Sequence, residues 1–297
     1  MKNAKPYPTN LSLNRDEQWQ LAQSWRSNPA QISLQAFDLS DRDLTLVDLA
    51  GADLSRANLA QARLAGANLA GAQLQAANLR QAMLEDINLE SARLNQADLR
   101  EANLHEASLI RADLSGANLR QANLVAAAGL GATLTGADLR LANLGQANFK
   151  GADFNGANLA GVIFRETLLA GASLSGAKNL AGAYLIQVNL SRARLDNLNM
   201  AGAFLAGVAL LEASLNQTNL AGAFLSQANL TGADLSRANL PGANLSRASL
   251  RRANLSGAIL RGALLAGANL NEANLAGADL NGADLTGAIM PDGRRHD

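Results

Sequence analysis

The sequence predicts an all-β solenoid, and three observations predict it. From Ile32 to Met290 a five-residue word recurs, as in Ala52-Asp53-Leu54-Ser55-Arg56 and Ala57-Asn58-Leu59-Ala60-Gln61. Its large apolar centre falls every five residues from Leu34 to Leu174 and again from Leu180 to Met290, and 46 of the 52 centres are Leu. The other centres are Phe149, Phe154, Phe164, Met200, Met290 and Gly129. Two residues ahead of the centre, Ala fills 40 of the 52 places, so a small and a large apolar residue are held two apart with a polar residue usually between them.

A period of five suits neither ordinary element. At about 100° per residue, a step of five on an α-helix smears the leucines around the cylinder. On a continuous strand an odd period sends successive leucines to opposite faces. Within one word, Ala and Leu do share a face, so a bend at every word keeps each pair inward. Gly, Asn and Ser near the corners suit such bends. A single coil buries too little to stand alone, and stacking on its neighbours closes the core and supplies hydrogen bonds.

These A-[D/N]-L-x-x words resemble those of the pentapeptide-repeat family over residues 32–290. The resemblance implies a right-handed quadrilateral parallel β-helix with four words per coil, hence about 13 coils, with Leu or Phe and the small residue both inward. At the spacing of strands in a sheet the rod is roughly 60 Å long.

Composition narrows the class. No Pro- or Ser-rich linker interrupts the repeat, which points to one elongated domain over 31–290 between an N-terminal segment, 1–30, and a short tail, 291–297. Apolar residues make up 48% of the chain but are interleaved with polar ones, so neither a membrane span nor a signal-peptide core is expected. The chain has no Cys, which fits a reducing compartment, and a cytoplasmic location is expected. Formal net charge is zero, so no global attraction to nucleic acid follows.

In chain order, Asn14-Arg15-Asp16-Glu17 carries a capping box, and Trp19, Leu21, Ala22 and Trp25 line one side of a short helix ending before Pro29. It reads as a plug on the first coil, where unpaired edges would otherwise be open. The first coil has large residues at the small position, Ile32, Phe37, Arg42 and Val47, and Arg42 needs a carboxylate or solvent. Higher up, Arg80, Arg100, Arg120 and Arg140 lie twenty apart and predict a ladder of guanidinium groups on one corner. Asp98 and Asp138 make this a solvated ion-pair network on one reading. On the other it is a docking strip for anions.

Two irregularities follow. At Gly129-Leu130 the centre is displaced by one residue and recovered; at Lys178-Asn179-Leu180 the displacement is permanent. Both predict one-residue bulges at corners. Thr167, Val188 and Val208 replace the inward Ala at one coil address, which predicts a wider core there. Ile163, Tyr184, Phe204 and Phe224 then occupy the outward place normally held by Asn or Asp, at one address on successive coils, with Leu168 and Ile186 close by. This stripe is the candidate protein-contact site; stacking that stabilises the solenoid is the competing account. Residues 235–271 hold five Arg and no acid, whereas 32–53 hold five Asp and one Arg, so charge is polarised along the rod. After Met290 the tail is too short for a helix; Pro291 blunts the last edge, or the open end pairs with another chain.

His105 and His296 stand alone, with no metal-ligand spacing, phosphate loop or assignable nucleophile and base. No enzyme activity and no cofactor are expected. The favoured function is a rigid protein-interaction or regulatory scaffold, with a protein partner or self-association through the stripe or the open C-terminal end. The alternative, implied by the family resemblance, is a DNA-mimicking topoisomerase (gyrase) protection protein. Mimicry requires near-continuous negative charge, which the Arg ladder and the basic C-terminal coils oppose. Eight scattered Thr build no ice-binding face.

Overall fold

Every twenty residues the chain returns to the same side of a four-sided coil and pairs in parallel with the coil before. The computed structural model describes residues 14–23 and 33–297. Four ladders of bridges run up the rod, beginning Ser33↔Asp53, Asp38↔Asn58, Asp43↔Arg63 and Asp48↔Asn68, and we number the faces one to four in that order. Each face is only the short extended piece Ala-polar-Leu of one word, so it forms bridges rather than long strands. Leu54 N–H donates to Gln73 O of the next coil at 2.7 Å, and Gln73 N–H donates back to Ala52 O at 2.9 Å. Both inward residues are sealed from solvent, Ala52, Leu54, Ala57 and Leu59 each at 0% exposure.

Each corner is closed by a bond such as Ala57 N–H to Leu54 O, 3.0 Å, and its second residue takes a left-handed φ. That residue is Gly at many corners but Arg56, Gln61 or Glu101 at others, with φ of 58°, 58° and 60°. A side chain in this conformation costs about 1–2 kcal/mol. The corner holds because it is bonded both along the chain and to the next coil, as with Arg56 N–H to Gln75 O, 2.9 Å.

The outward residue has a second task that explains why it is so often Asn or Asp. Asp53 Oδ1 accepts both the Ser55 amide, 3.0 Å, and the Ser55 hydroxyl, 2.6 Å, pinning the corner that follows. Asn side chains also pair between coils, with Asn78 Nδ2 donating to Asn58 Oδ1 at 2.9 Å and Asn58 Nδ2 to Asp38 Oδ1 at 2.9 Å.

At the N-terminal end lies helix α1, Arg15–Gln23. Asn14 Oδ1 accepts the Asp16 and Glu17 amides at 3.0 Å each, and Glu17 Oε2 accepts the Asn14 amide at 2.9 Å, which is the reciprocal capping box. Gln18 Oε1 accepts the Asp38 amide at 2.7 Å, filling the place an earlier coil would have taken. Trp19 packs on the core and lies beneath the Arg42 guanidinium, 5.4 Å from the ring centroid. Arg42 finds its carboxylate in Asp16 of α1, although its buried Nε has no partner among the described residues. Trp25, Pro29, Ile32 and the side chains of Leu21 and Ala22 lie outside the described residues.

At the other end the tail folds back over one face only. Ile289 pairs antiparallel with Arg295, and Met290 N–H donates to Arg294 O at 2.7 Å. Leu275, Leu280 and Leu285 on the remaining faces are only partly buried.

The two irregularities part company. At Gly129 there is no bulge: Ala128 bridges Ser108 and Asn148 twenty residues away on either side, and Gly129 N–H donates to Asn148 O at 2.8 Å. Gly129 is the true centre, and Phe149 of the next coil fills the space its side chain would occupy, since a Cβ there would lie 2.1 Å from Phe149 Cε1. Leu130 is simply a corner residue, 38% exposed. Asn179 is a real one-residue insertion with φ of 64°, held by Asn179 Nδ2 to Asn158 Oδ1 at 2.9 Å. Thr167 does not merely widen the core: its buried hydroxyl donates to Leu144 O at 2.8 Å, and Thr218 does the same to Leu195 O at 2.7 Å.

Candidate functional site

Beyond Asn179 the coils resume one residue out of phase, and the slack falls on faces two and three. On face three the bridges run up to Asn143↔Ile163 and restart at Tyr184↔Phe204. Phe164 N–H and Glu166 N–H, which by the pattern of Leu144 and Gln146 would donate to the next coil, make no main-chain bond among the described residues. On face four the ladder has already recovered, with Leu168↔Asn189 and Leu169 N–H to Asn189 O at 2.8 Å. A cleft of about 610 Å³ opens across face three between these two coils. It is lined by Ile163, Phe164 and Arg165 on one side and by Ala183, Tyr184 and Ile186 on the other.

Above this cleft rises the aromatic stripe. Tyr184 and Phe204 stack with ring centroids 4.5 Å apart and planes at 7°, and Phe204 and Phe224 at 4.8 Å and 4°. These distances match the spacing of strands in a sheet, so one ring per coil stacks without distortion. Tyr184 is 64% and Phe224 44% exposed, with Phe204 half-buried between them. The stripe has a chemical cost at each corner. Asn143 below it and Asn244 above it accept the amides of Gly145 and Ser246 at 3.0 Å each, a bond that Ile163, Tyr184, Phe204 and Phe224 cannot make.

The predicted members do not all come together. Ile163 lies at the same address, 51% exposed, but across the cleft from Tyr184 rather than stacked under it. Ile186 sits at the corner of the cleft. Leu168 is half-buried one face round and is not part of the stripe. Leu264, 43% exposed, continues face three two coils above Phe224, beyond Asn244. The periodic reading could have found it by adding twenty twice more.

The Arg ladder forms on its corner but not as four equivalent cations. Arg100 folds onto its own Asp98, with Nε to Oδ1 at 2.8 Å and Nη2 to Oδ2 at 2.5 Å. Arg140 grips Asp138 in the same way at 2.8 and 2.5 Å. Arg80 reaches Glu101 of the next coil at 3.3 Å, and Arg120 contributes to the field at Asp138. The Arg100 hydrogen bond holds Asp98 below the usual carboxylate range despite partial burial, and Arg140 does the same for Asp138. The basic C-terminal stretch is likewise tempered, because Arg252 pairs with Glu272 at 2.6 Å and Arg261 pairs with Asp279. Among the described residues no helix is long and apolar enough to cross a membrane.

A family model described as pentapeptide repeats matches in eight copies, over residues 43–81, 87–125, 107–146, 130–166, 147–178, 179–210, 210–247 and 248–287. Among curated proteins none matches the chain. Among solved structures, HetL, a pentapeptide repeat protein involved in heterocyst differentiation regulation from the cyanobacterium Nostoc sp. strain PCC 7120, is 32% identical over 96% of this chain and 100% of its own, at a TM-score of 0.22. Full-length QnrB1, a plasmid-mediated fluoroquinolone resistance protein, is 17% identical over 73% of this chain and 90% of its own, at a TM-score of 0.28. A pentapeptide repeat protein of the Arabidopsis thaliana thylakoid lumen is 27% identical over 41% of this chain and 65% of its own, at a TM-score of 0.15. With TM-scores this low the overlays add nothing, but the repeated family match and the identity to HetL along nearly the whole chain make this a member of the pentapeptide-repeat family, whose fold is the right-handed quadrilateral β-helix.

Proposed function

We propose that the protein is a non-enzymatic, rigid interaction rod of about 13 coils. In this reading it is closed at its base by α1, it works in the cytoplasm, and it binds a protein partner through the aromatic stripe of face three. The observation that carries this reading is the stack of Tyr184, Phe204 and Phe224. It puts apolar edges into solvent at the very positions where Asn or Asp would bond the corner. Exposed apolar strips on an otherwise polar surface mark contact sites, and a single-file aromatic ladder on a stiff scaffold offers a pre-organised one. The partly uncovered C-terminal coil is a second place for self-association. The gyrase-protection alternative gains nothing from the surface, because arginines stand on the corners of successive coils.

The double substitution Phe204→Asn with Phe224→Asn tests this. It restores the common residue of the word at both places, so the circular dichroism spectrum stays that of the parent. The expected result is loss of partner capture from the native organism's lysate, or of a self-associated species in sedimentation. Capture and sedimentation both unchanged, with only the melting temperature lowered, would make the stripe a scaffold element and overturn the proposal.

A further inference from the structure

From Leu34 to Glu272 the large centre of each word and the second residue of each corner donate their amides to the next coil. Among the described residues only Gly161, Phe164, Glu166, Gly176, Leu180 and Gln187 do not. These lapses all flank the Asn179 insertion, and they are not spread evenly round the coil. Gly161, Phe164 and Glu166 leave face three and both its corners unbonded, and further on Gly176 and Leu180 leave face two and the corner before it. Between them Leu169, Gly171 and Leu174 donate to Asn189, Ser191 and Arg194 at 2.8, 2.8 and 2.9 Å. Faces four and one, and the corner they share, therefore stay closed at the ordinary spacing. The cleft of about 610 Å³ lies in the unbonded arc.

In a solenoid each coil touches only its neighbours, so the stiffness of the rod at any one level is set by the bonds of that one interface. We propose that this seam is a joint. The lower arm, 33–175, and the upper arm, 180–290, bend about the bonded line along faces four and one, and the mouth on faces two and three widens and narrows. Phe164 and Leu185 are buried on either side of the mouth, and the cost of wetting them opposes wide opening, so the motion is a bend and not a separation. Each arm keeps the unbroken ladders that make it stiff. The ring stack from Tyr184 to Phe224 lies wholly on the upper arm, and Arg80, Arg100, Arg120 and Arg140 lie on the lower. Their mutual angle is therefore set at the seam, and a ligand seated on both arms at once would select one angle. The Asn179 insertion creates the joint, since a coil of twenty residues would close every ladder.

The chain has no Cys, so nitroxide labels attach only where a Cys is introduced. One pair, Asn123→Cys with Asn244→Cys, spans the seam on face three, and a second, Thr133→Cys with Asn254→Cys, spans it on face one. Each pair lies six coils apart, roughly 30 Å at the strand spacing. Pulsed dipolar spectroscopy on the full chain should give a distance distribution about 2-fold wider or more on face three, which lies away from the hinge line. Deletion of Asn179 restores the twenty-residue register and should narrow the face-three distribution to that of face one. Should the deletion lose its β spectrum, hydrogen exchange in the parent decides: the Phe164, Glu166 and Leu180 amides should exchange at least about 10-fold faster than those of Leu169 and Leu174. Equal widths for the two pairs, a face-three width unchanged in the folded deletion, or equal exchange of the two sets of amides would each overturn the joint. Partner capture enters none of these measurements, so the joint and the contact stripe stand or fall separately.

Discussion

Gly129 and Phe149 form one packing unit, and a double-mutant cycle between them measures it. Gly129 does not have a left-handed φ, so a side chain there meets no backbone penalty, only the Phe149 ring. A Cβ would lie 2.1, 2.3 and 2.8 Å from three ring atoms, well inside contact distance, and a buried ring with Phe154 packed against it at 5.6 Å has little room to move. Gly129→Leu should therefore overpack the core by about 1–3 kcal/mol. Phe149→Leu alone leaves a void beside the glycine and costs about 1–3 kcal/mol, between a methylene deletion and a full Phe truncation. Together they restore Leu at both centres, as in most of the other words, and should approach the parent stability, a favourable coupling equal to the sum of the two single losses, about 2–6 kcal/mol. At about 2–4 °C per kcal/mol for a chain of this size, each single variant melts several degrees low and the double recovers most of the loss. Thermal melts by circular dichroism read all four corners of the cycle. Additivity within about 0.5 kcal/mol would refute the claim that the ring replaces the missing side chain.

Leu104 is fully buried, so Leu104→Asp places a carboxylate in a dry core at a cost of several kcal/mol; circular dichroism should show loss of several coils, and a parent-like melt would contradict the inward register. Arg100→Ala with Arg120→Ala should move the melting temperature by no more than about 2 °C, since exposed pairs are screened. Salt-sensitive binding of the parent to heparin that this variant lacks would favour the anion-strip reading. Asp98 and Asp138 have folded pKa values below their ordinary 3.8. Their contribution is therefore full above about pH 4 and lost as pH falls through the depressed values. The melting temperature should be flat from about pH 7 to 5 and drop below about pH 4, less steeply in Arg100→Ala with Arg140→Ala; a fall beginning near pH 6 would point to other groups.

Much of this protein was written in its period. A repeat of five with Ala and Leu two apart admits a solenoid with both inward, because neither helix nor continuous strand keeps that pair on one side. The capping box at Asn14, the ring stack from Tyr184 to Phe224 and the Asn179 insertion are also local or strictly periodic features, so adding twenty was enough to find them. What the sequence could not decide were matters settled between coils. Gly129 read as a displaced centre because its filling, Phe149, lies twenty residues away and is visible only when coils are stacked. The sequence left the Arg ladder open between an ion-pair network with Asp98 and Asp138 and an anion strip, because nothing in a spacing says that the Arg100 and Arg140 guanidinium groups will fold back onto a carboxylate two residues earlier. The insertion at Asn179 announced one residue of slack, but where that slack opens depends on which ladder closes first. Face four re-forms at Leu168↔Asn189, and face three is left open beneath Tyr184. That competition is among hydrogen bonds far apart in the chain, so only the tertiary structure could place the cleft.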